Sequence, residues 1–171
     1  MKKLIIASVA ALAFASPALA QESDAELSGF RLEAIAGLDR VNVDGGGETG
    51  VAYGVAGGYD IQSGSLVFGV DGEVAFATTD DCCTSAGRDL AIGGRIGTRI
   101  GSGGLLYTKA AYTNARIKSD FGNFNVDGVR LGLGIEQQLT SQFYVKGEYR
   151  YSNYQFGIER HQVLAGVGAR F

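Results

Sequence analysis

Apolar residues recur at every second position along most of this chain. In 66–76, Leu66, Phe68, Val70, Val74 and Phe76 share one face, and Gly69, Asp71, Glu73 and Ala75 share the other. In 90–100, Leu90, Ile92, Ile96, Thr98 and Ile100 stand opposite Gly93, Arg95, Gly97 and Arg99. In 129–139, Val129, Leu131, Leu133, Ile135 and Leu139 oppose Arg130, Gly132, Gly134, Glu136 and Gln138. In 145–151, Val145, Gly147, Tyr149 and Tyr151 oppose Lys146, Glu148 and Arg150. A period of two is the period of a strand, whose successive side chains point to opposite faces.

Read from end to end, the alternation predicts eight strands: 30–38, 51–61, 66–76, 90–100, 105–117, 129–139, 143–154 and 162–171. Most have about 9–11 residues, the length a tilted strand needs to cross a bilayer. The predicted connections alternate in length. Those at 62–65, 101–104 and 140–142 are short, and those at 39–50, 78–89, 118–128 and 155–161 are long. Short turns on one side and longer loops on the other are the pattern of an up-and-down membrane barrel, and an even strand number returns both chain ends to one side.

Composition decides which face meets lipid. The chain has 27 glycines in 171 residues, and its single proline is Pro17. Many of the glycines fall on the charged faces. A soluble sandwich has no reason to place glycine on its wet face, where each one weakens a strand. A narrow barrel does, because its interior holds only small side chains and a few long, paired ones. Glycine without a period of three excludes collagen, and 46% hydrophobic residues argue against disorder.

The N-terminus carries an export address: Lys2 and Lys3, an uncharged apolar run over 4–14, then Pro17 and Ala18-Leu19-Ala20. This predicts a signal peptide over 1–20 and one barrel domain over 21–171. The apolar run is too short for a membrane-spanning helix. Without Lys2 and Lys3, 13 basic side chains face 18 acidic ones. That balance argues against a nucleic-acid partner, since no positive surplus exists to replace counterions. The expectation is an all-β, eight-stranded antiparallel transmembrane barrel exported through the periplasm to the bacterial outer membrane.

The segments 105–112 (LLYTKAAY), 129–136 (VRLGLGIE) and 144–151 (YVKGEYRY), with the ending GVGARF, resemble the eight-stranded outer-membrane barrel family. That family includes the opacity proteins, the porin-family surface proteins of alphaproteobacteria and the transmembrane half of OmpA. The resemblance covers essentially all of 21–171, and the Lys-x-Glu-Tyr-x-Tyr block is its most specific part. It implies interfacial aromatic girdles, here without tryptophan: Tyr59, Tyr107, Phe143 and Tyr144 on the periplasmic side, and Tyr53, Phe76, Tyr112, Tyr149 and Tyr151 nearer the outside. The chain ends within the barrel pattern, which predicts no appended cell-wall-binding domain. The terminal Phe171, closing an alternating strand, resembles the signal read by the barrel assembly machinery.

Eleven charged residues are assigned to the lumen: Glu33, Asp71, Glu73, Arg95, Arg99, Lys109, Arg130, Glu136, Lys146, Glu148 and Arg150. They form either a salt-bridged plug or the constriction of a narrow channel for ions or small solutes. Eight strands leave room for side chains and little else, which favours the plug and excludes a wide porin.

His161 is the single histidine, and Gln162 and Val163 follow it, so no His-x-Ser pattern for acyl hydrolysis is present. No enzyme, metal or cofactor is expected. Cys82 and Cys83 lie in a predicted external loop in an oxidising compartment; a vicinal disulfide, an intermolecular bridge and open thiols all remain open there. The run Asp44-Gly45-Gly46-Gly47-Glu48 lacks the Lys-Ser/Thr of a phosphate loop.

The expected role is structural and surface-exposed in the cell envelope. The alternatives are a narrow porin-like channel and an adhesin or haem- or ligand-binding surface protein. The expected partners are outer-membrane lipid and lipopolysaccharide, the assembly machinery, and an extracellular ligand met through the loops.

Overall fold

In the computed structural model the alternating segments become one closed antiparallel sheet. The structure describes residues 26–43, 46–78, 80–81, 84–119 and 122–171. The signal segment 1–20, Asp44, Gly45, Cys82 and Cys83 lie outside the described residues.

The strands are β1 (Gly29–Val43), β2 (Gly46–Ser63), β3 (Leu66–Ala77), the two-residue β4 (Asp80–Asp81), β5 (Thr84–Ile100), β6 (Gly104–Ser119), β7 (Gly122–Gln138), β8 (Phe143–Tyr154) and β9 (Glu159–Arg170). Each long strand pairs with its chain neighbour, and β4 is a short extension against the start of β5. Two further pairings close the cylinder: β3 with β5, and β1 with β9. The barrel therefore has eight long strands and no free edge among them, which is the condition for a sheet to survive in hydrocarbon.

The three short connections sit at the end that also holds the start of β1 and the end of β9. Gly64 (φ +62°) turns β2 into β3, and Gly101 and Gly103 (φ +57° and +80°) turn β5 into β6. Between β7 and β8 the Thr140 hydroxyl accepts the backbone N–H groups of Gln142 and Phe143, and Leu139 N–H donates to the Phe143 carbonyl at 2.8 Å.

At the other end the structure corrects the sequence expectation. The long loops predicted over 39–50, 78–89 and 118–128 are mostly hydrogen-bonded ladder. Pairing continues to Val43↔Gly46 between β1 and β2, to Thr84↔Ser119 between β5 and β6, and to Ser119↔Gly122 between β6 and β7. The fourth connection is shortened by the turn Gln155–Gly157 and the early start of β9 at Glu159. The physical reason is that apolarity stops at the membrane boundary while backbone pairing does not. Beyond that level the outward positions turn polar, as with Arg40, Asn42, Asn114 and Arg116.

Burial is inverted relative to a water-soluble protein. The outward face exposes Val70 (65%), Ile92 (69%) and Leu133 (57%), together with the rest of a continuous apolar band. A patch of this extent is stable only against lipid or a partner. The interior is charged.

Candidate functional site in the barrel lumen

Strand parity places the site. On β3, Asp71 and Glu73 point inward between the outward Val70, Gly72 and Val74. On β8 the alternation buries Tyr144, Lys146, Glu148, Arg150, Ser152 and Tyr154. The same rule turns Arg31, Glu33 and Asp39 of β1 inward, with Asp60 of β2, Asp89 and Arg95 of β5, Lys109 of β6, Arg130 and Glu136 of β7, and Arg160 and Arg170 of β9. Buried charge among the described residues is balanced, with eight carboxylates and eight cations.

These sixteen residues form one connected ion-pair network that runs the length of the lumen. Toward the short-turn end, Asp60 joins Arg31 (3.3 Å), Arg95 and Arg170 (3.1 Å), and Glu136 joins Arg95 and Arg170 (3.2 Å). In the middle, Arg31 meets Glu33 (2.7 Å) and Asp71 (3.4 Å), and Lys109 bridges Asp71 (2.7 Å) and Glu73 (3.5 Å). Glu73 also receives Arg130 (3.2 Å) and Arg150 (2.6 Å), while Lys146 spans Glu33 (2.9 Å) and Glu148 (3.0 Å). Arg150 closes this part on Glu148.

At the long-hairpin end, Asp89 takes Arg130 and Arg160 (2.8 Å), and Arg160 reaches Asp39 (2.6 Å). Asp89 accepts further hydrogen bonds from Thr113 Oγ1 (2.6 Å) and the Tyr154 hydroxyl (3.1 Å). Taking a charge out of water costs several kcal/mol unless geometry and additional hydrogen bonds compensate it. Here every buried charge has at least one opposite partner, and most have two or three.

Two tyrosines expected at the lipid girdle, Tyr107 and Tyr144, belong to this interior. Parity decides it: Tyr107 lies two positions from Lys109, and Tyr144 two from Lys146. Each ring covers the glycine paired with it across the ladder, Gly134 for Tyr107 and Gly168 for Tyr144. A Cβ on Gly134 would meet the Tyr107 ring at 2.4 Å, and one on Gly168 would meet the Tyr144 ring at 2.3 Å. Inward glycine is therefore the space in which these rings lie. The Tyr107 hydroxyl donates to Glu148, with Arg95 5.0 Å and Lys146 5.7 Å from its ring centroid. The Tyr144 hydroxyl donates to Glu33 at 3.4 Å, with Arg170 5.2 Å from its ring.

The remaining girdle residues, Tyr53, Tyr59, Phe76, Tyr112, Phe143 and Tyr149, are exposed outward. Tyr151 is half-buried on the outward face of β8 and donates to Glu159 at 2.8 Å.

At the short-turn end the described residues ahead of β1 pack against the lumen lining. Leu27 is buried against Val67, Leu105 and Tyr107. Its N–H donates to Gln62 Oε1 (2.9 Å), and Gln62 N–H donates to Ser28 Oγ (3.0 Å).

Of the lumen residues expected from sequence, Glu33, Asp71, Glu73, Arg95, Lys109, Arg130, Glu136, Lys146, Glu148 and Arg150 stand together in the network. Arg99 follows the same inward alternation of β5 but sits half-buried beside the short turn after Ile100. Sequence reasoning missed Arg31, Asp39, Asp60, Asp89, Arg160 and Arg170. For Arg31, Asp60 and Arg170 the signal was available, because each shares parity with an inward residue of its own predicted strand; Asp39, Asp89 and Arg160 fell in predicted connections.

Phe171 exchanges backbone hydrogen bonds with Phe30 (3.1 and 2.8 Å) at the β1–β9 seam, and its side chain is exposed outward. His161 Nδ1 lies 2.8 Å from the Tyr149 hydroxyl on the outer surface.

Comparison with known proteins agrees with this architecture. A family model described as outer membrane protein beta-barrel domain matches residues 6–171. A 22 kDa outer membrane protein of Rhizobium leguminosarum bv. viciae is 26% identical over 161 residues, covering 80% of this chain and 76% of that protein. Among solved structures, Neisserial surface protein A superposes with a TM-score of 0.66 at 20% identity, covering 84% of this chain and 98% of that one. Ail, the attachment invasion locus protein of Yersinia pestis, superposes with a TM-score of 0.60 at 18% identity, covering 85% of this chain and 100% of that one. At these identities the two structures share the fold.

Proposed function

We propose a function for this chain from the premise that it belongs to the outer membrane protein beta-barrel domain family. It is an integral outer-membrane β-barrel protein of the cell envelope, with its apolar band in the bilayer and its long hairpins on the outer surface. Our reading of its work is structural: the lumen is a plug that holds the cylinder rigid, and contact with the surroundings falls to the outer face and the external hairpins.

The observation that carries this reading is the neutral, fully connected network of sixteen buried charges, each with side-chain exposure of 7% or less. A conducting pathway needs sites that an ion can enter and leave. In this lumen the cations and carboxylates already occupy one another, and Leu27 is buried against the lining at the short-turn end. The plug is therefore favoured over the narrow channel. No catalytic role is part of the proposal: among the described residues His161 is held by Tyr149 on the outer surface.

The barrel assembly machinery, which would read the exposed Phe171, and outer-leaflet lipid are the partners proposed from these features. A surface ligand taken up by the external hairpins is a further expectation. Ail is named for attachment, and this chain shares its fold.

Planar-bilayer recording of the refolded protein tests the plug. Silence at salt concentrations where porins conduct is the expected result. Steady steps that change with charge reversal at Arg95 or Glu136 would replace the plug with the channel.

A further inference from the structure

The outward face carries a second feature that the plug does not use. Among the described residues, the apolar band from the short-turn end to its outer boundary bears no outward charge. Three arginines then stand at that boundary or one outward position beyond it. Arg40 follows Leu38 on β1, Arg88 precedes Leu90 and Ile92 on β5, and Arg116 follows Tyr112 and Asn114 on β6. Arg88 is the cross-strand partner of Phe76, an exposed outward residue, which fixes its side of the sheet.

Arg88 and Arg116 are brought together by a local irregularity. The β5–β6 register shifts between Ala86 and Asp89, so Gly87 and Arg88 together oppose Arg116. Gly87 packs so closely there that a Cβ on it would lie 2.6 Å from the Arg116 carbonyl oxygen. Bulges re-aim side chains, and this one puts two arginines opposite one another in the ladder on adjacent strands.

Like charges directly opposite in a sheet are destabilising. Neither arginine has a carboxylate partner among the described residues. Arg116 Nε donates to Asn125 Oδ1 at 3.3 Å, and Arg88 Nε is closed off without a hydrogen-bond partner. The described outward acid on the neighbouring strand β7, Asp127, is already engaged by Asn114. Among the described residues no free carboxylate faces this pair, which leaves it open to an anion from outside the chain.

We propose that Arg88 and Arg116 form a binding site for a phosphate group of the phosphorylated glycolipid of the outer leaflet, lipopolysaccharide. The level is right, since both side chains stand at the outer boundary of the apolar band, where a lipid headgroup lies. The chemistry is right, since two guanidinium forks present several N–H donors to one phosphate. The inference rests on the barrel lying in an outer membrane, and it assigns residues to the lipid partner proposed above.

The full chain, refolded in detergent micelles, is titrated with purified lipopolysaccharide, with the same lipid dephosphorylated, and with inorganic phosphate. Wild type is compared with R88Q/R116Q and with R116Q alone, at the exposed member of the pair. The expected result is that the double variant binds lipopolysaccharide at least about tenfold more weakly, as for loss of charge-assisted hydrogen bonds. R116Q should fall between, and dephosphorylated lipid should bind wild type as weakly as intact lipid binds the double variant.

Equal binding of intact lipid by wild type and both variants overturns the proposal. So does competition by inorganic phosphate at the lipid's own concentration, because the site would then serve a free anion. Each sample's heat-modifiable gel shift and its insertion into phosphatidylcholine vesicles report separately on the barrel reading. If wild type lacks both, the barrel reading fails rather than the site.

Discussion

The ring of Tyr107 lies over Gly134, its direct cross-strand partner, so closely that a single added methyl group on Gly134 would meet the phenol at 2.4 Å. The ring cannot swing aside freely, because its hydroxyl is bonded to Glu148 and it is flanked by Arg95 and Lys146. Gly134→Ala should therefore destabilise the barrel by about 1–3 kcal/mol, the usual cost of overpacking an interior. Gly147→Ala should change stability by less than about 0.5 kcal/mol. Gly147 faces outward, and nothing lies within 4 Å of the added carbon. Urea titration of the folded protein in lipid vesicles measures both. Equal effects would mean that the inward and outward glycines are not distinguished by packing.

Glu73 holds three cations, Lys109, Arg130 and Arg150. Glu73→Gln keeps the shape and removes the charge, leaving a surplus positive charge in a closed interior. The expected loss is about 3–5 kcal/mol, typical of breaking a buried pair from one side. Arg116→Gln, on the exposed outer surface, should cost less than about 0.5 kcal/mol. The same urea titrations read the difference. A Glu73→Gln barrel as stable as wild type would show that water reaches the network.

Phe171 tests a separation between folding and delivery. Its side chain is exposed outward at the seam, while its backbone pairs with Phe30. Phe171→Gln leaves that backbone pairing intact. Refolding into vesicles should change by less than about twofold, because little packing is lost. Recovery in the outer membrane of living cells should fall sharply if the assembly machinery reads the terminal aromatic. Fractionation followed by immunoblotting, beside refolding yield in vitro, separates the two. An equal drop in both would make Phe171 a stability residue.

How much of this was legible in the sequence depends on what each residue's neighbours mark. The period-two pattern locates all eight long strands, because outward apolar residues label each membrane crossing. It does not locate the strand ends beyond the membrane. Outward positions such as Arg40 and Arg116 look like loop residues there, although the ladder continues through them. That is why Asp39 and Asp89, placed in loops by hydropathy, prove to be inward members of the network. Arg160 fell in a predicted connection for the same reason. Arg31, Asp60 and Arg170 were legible by parity with Glu33, Ala56 and Gly168.

Tyr107 and Tyr144 mislead for a different reason. A barrel offers an aromatic ring two sites of similar chemistry, the lipid interface and the space over an inward glycine. Residue type cannot choose between them, but parity with Lys109 and Lys146 does. Ion-pair partners are a further limit. Parity says which charges face inward, and only the shear of the closed sheet says that Arg160 meets Asp89 or that Arg130 meets Glu73.

The central claim is that the apolar face meets hydrocarbon and the charged face is sealed inside. Single cysteines replacing the outward Ile92 and Leu133, in a background where Cys82 and Cys83 are serine, test it directly. Each is labelled with an environment-sensitive fluorophore, and the protein is inserted into vesicles of brominated lipid. Strong quenching by the lipid bromines at both positions, with no reaction toward a membrane-impermeant thiol reagent before labelling, is the predicted result. Unquenched probes at cysteines that react readily with that reagent would place the apolar face in water and contradict the account.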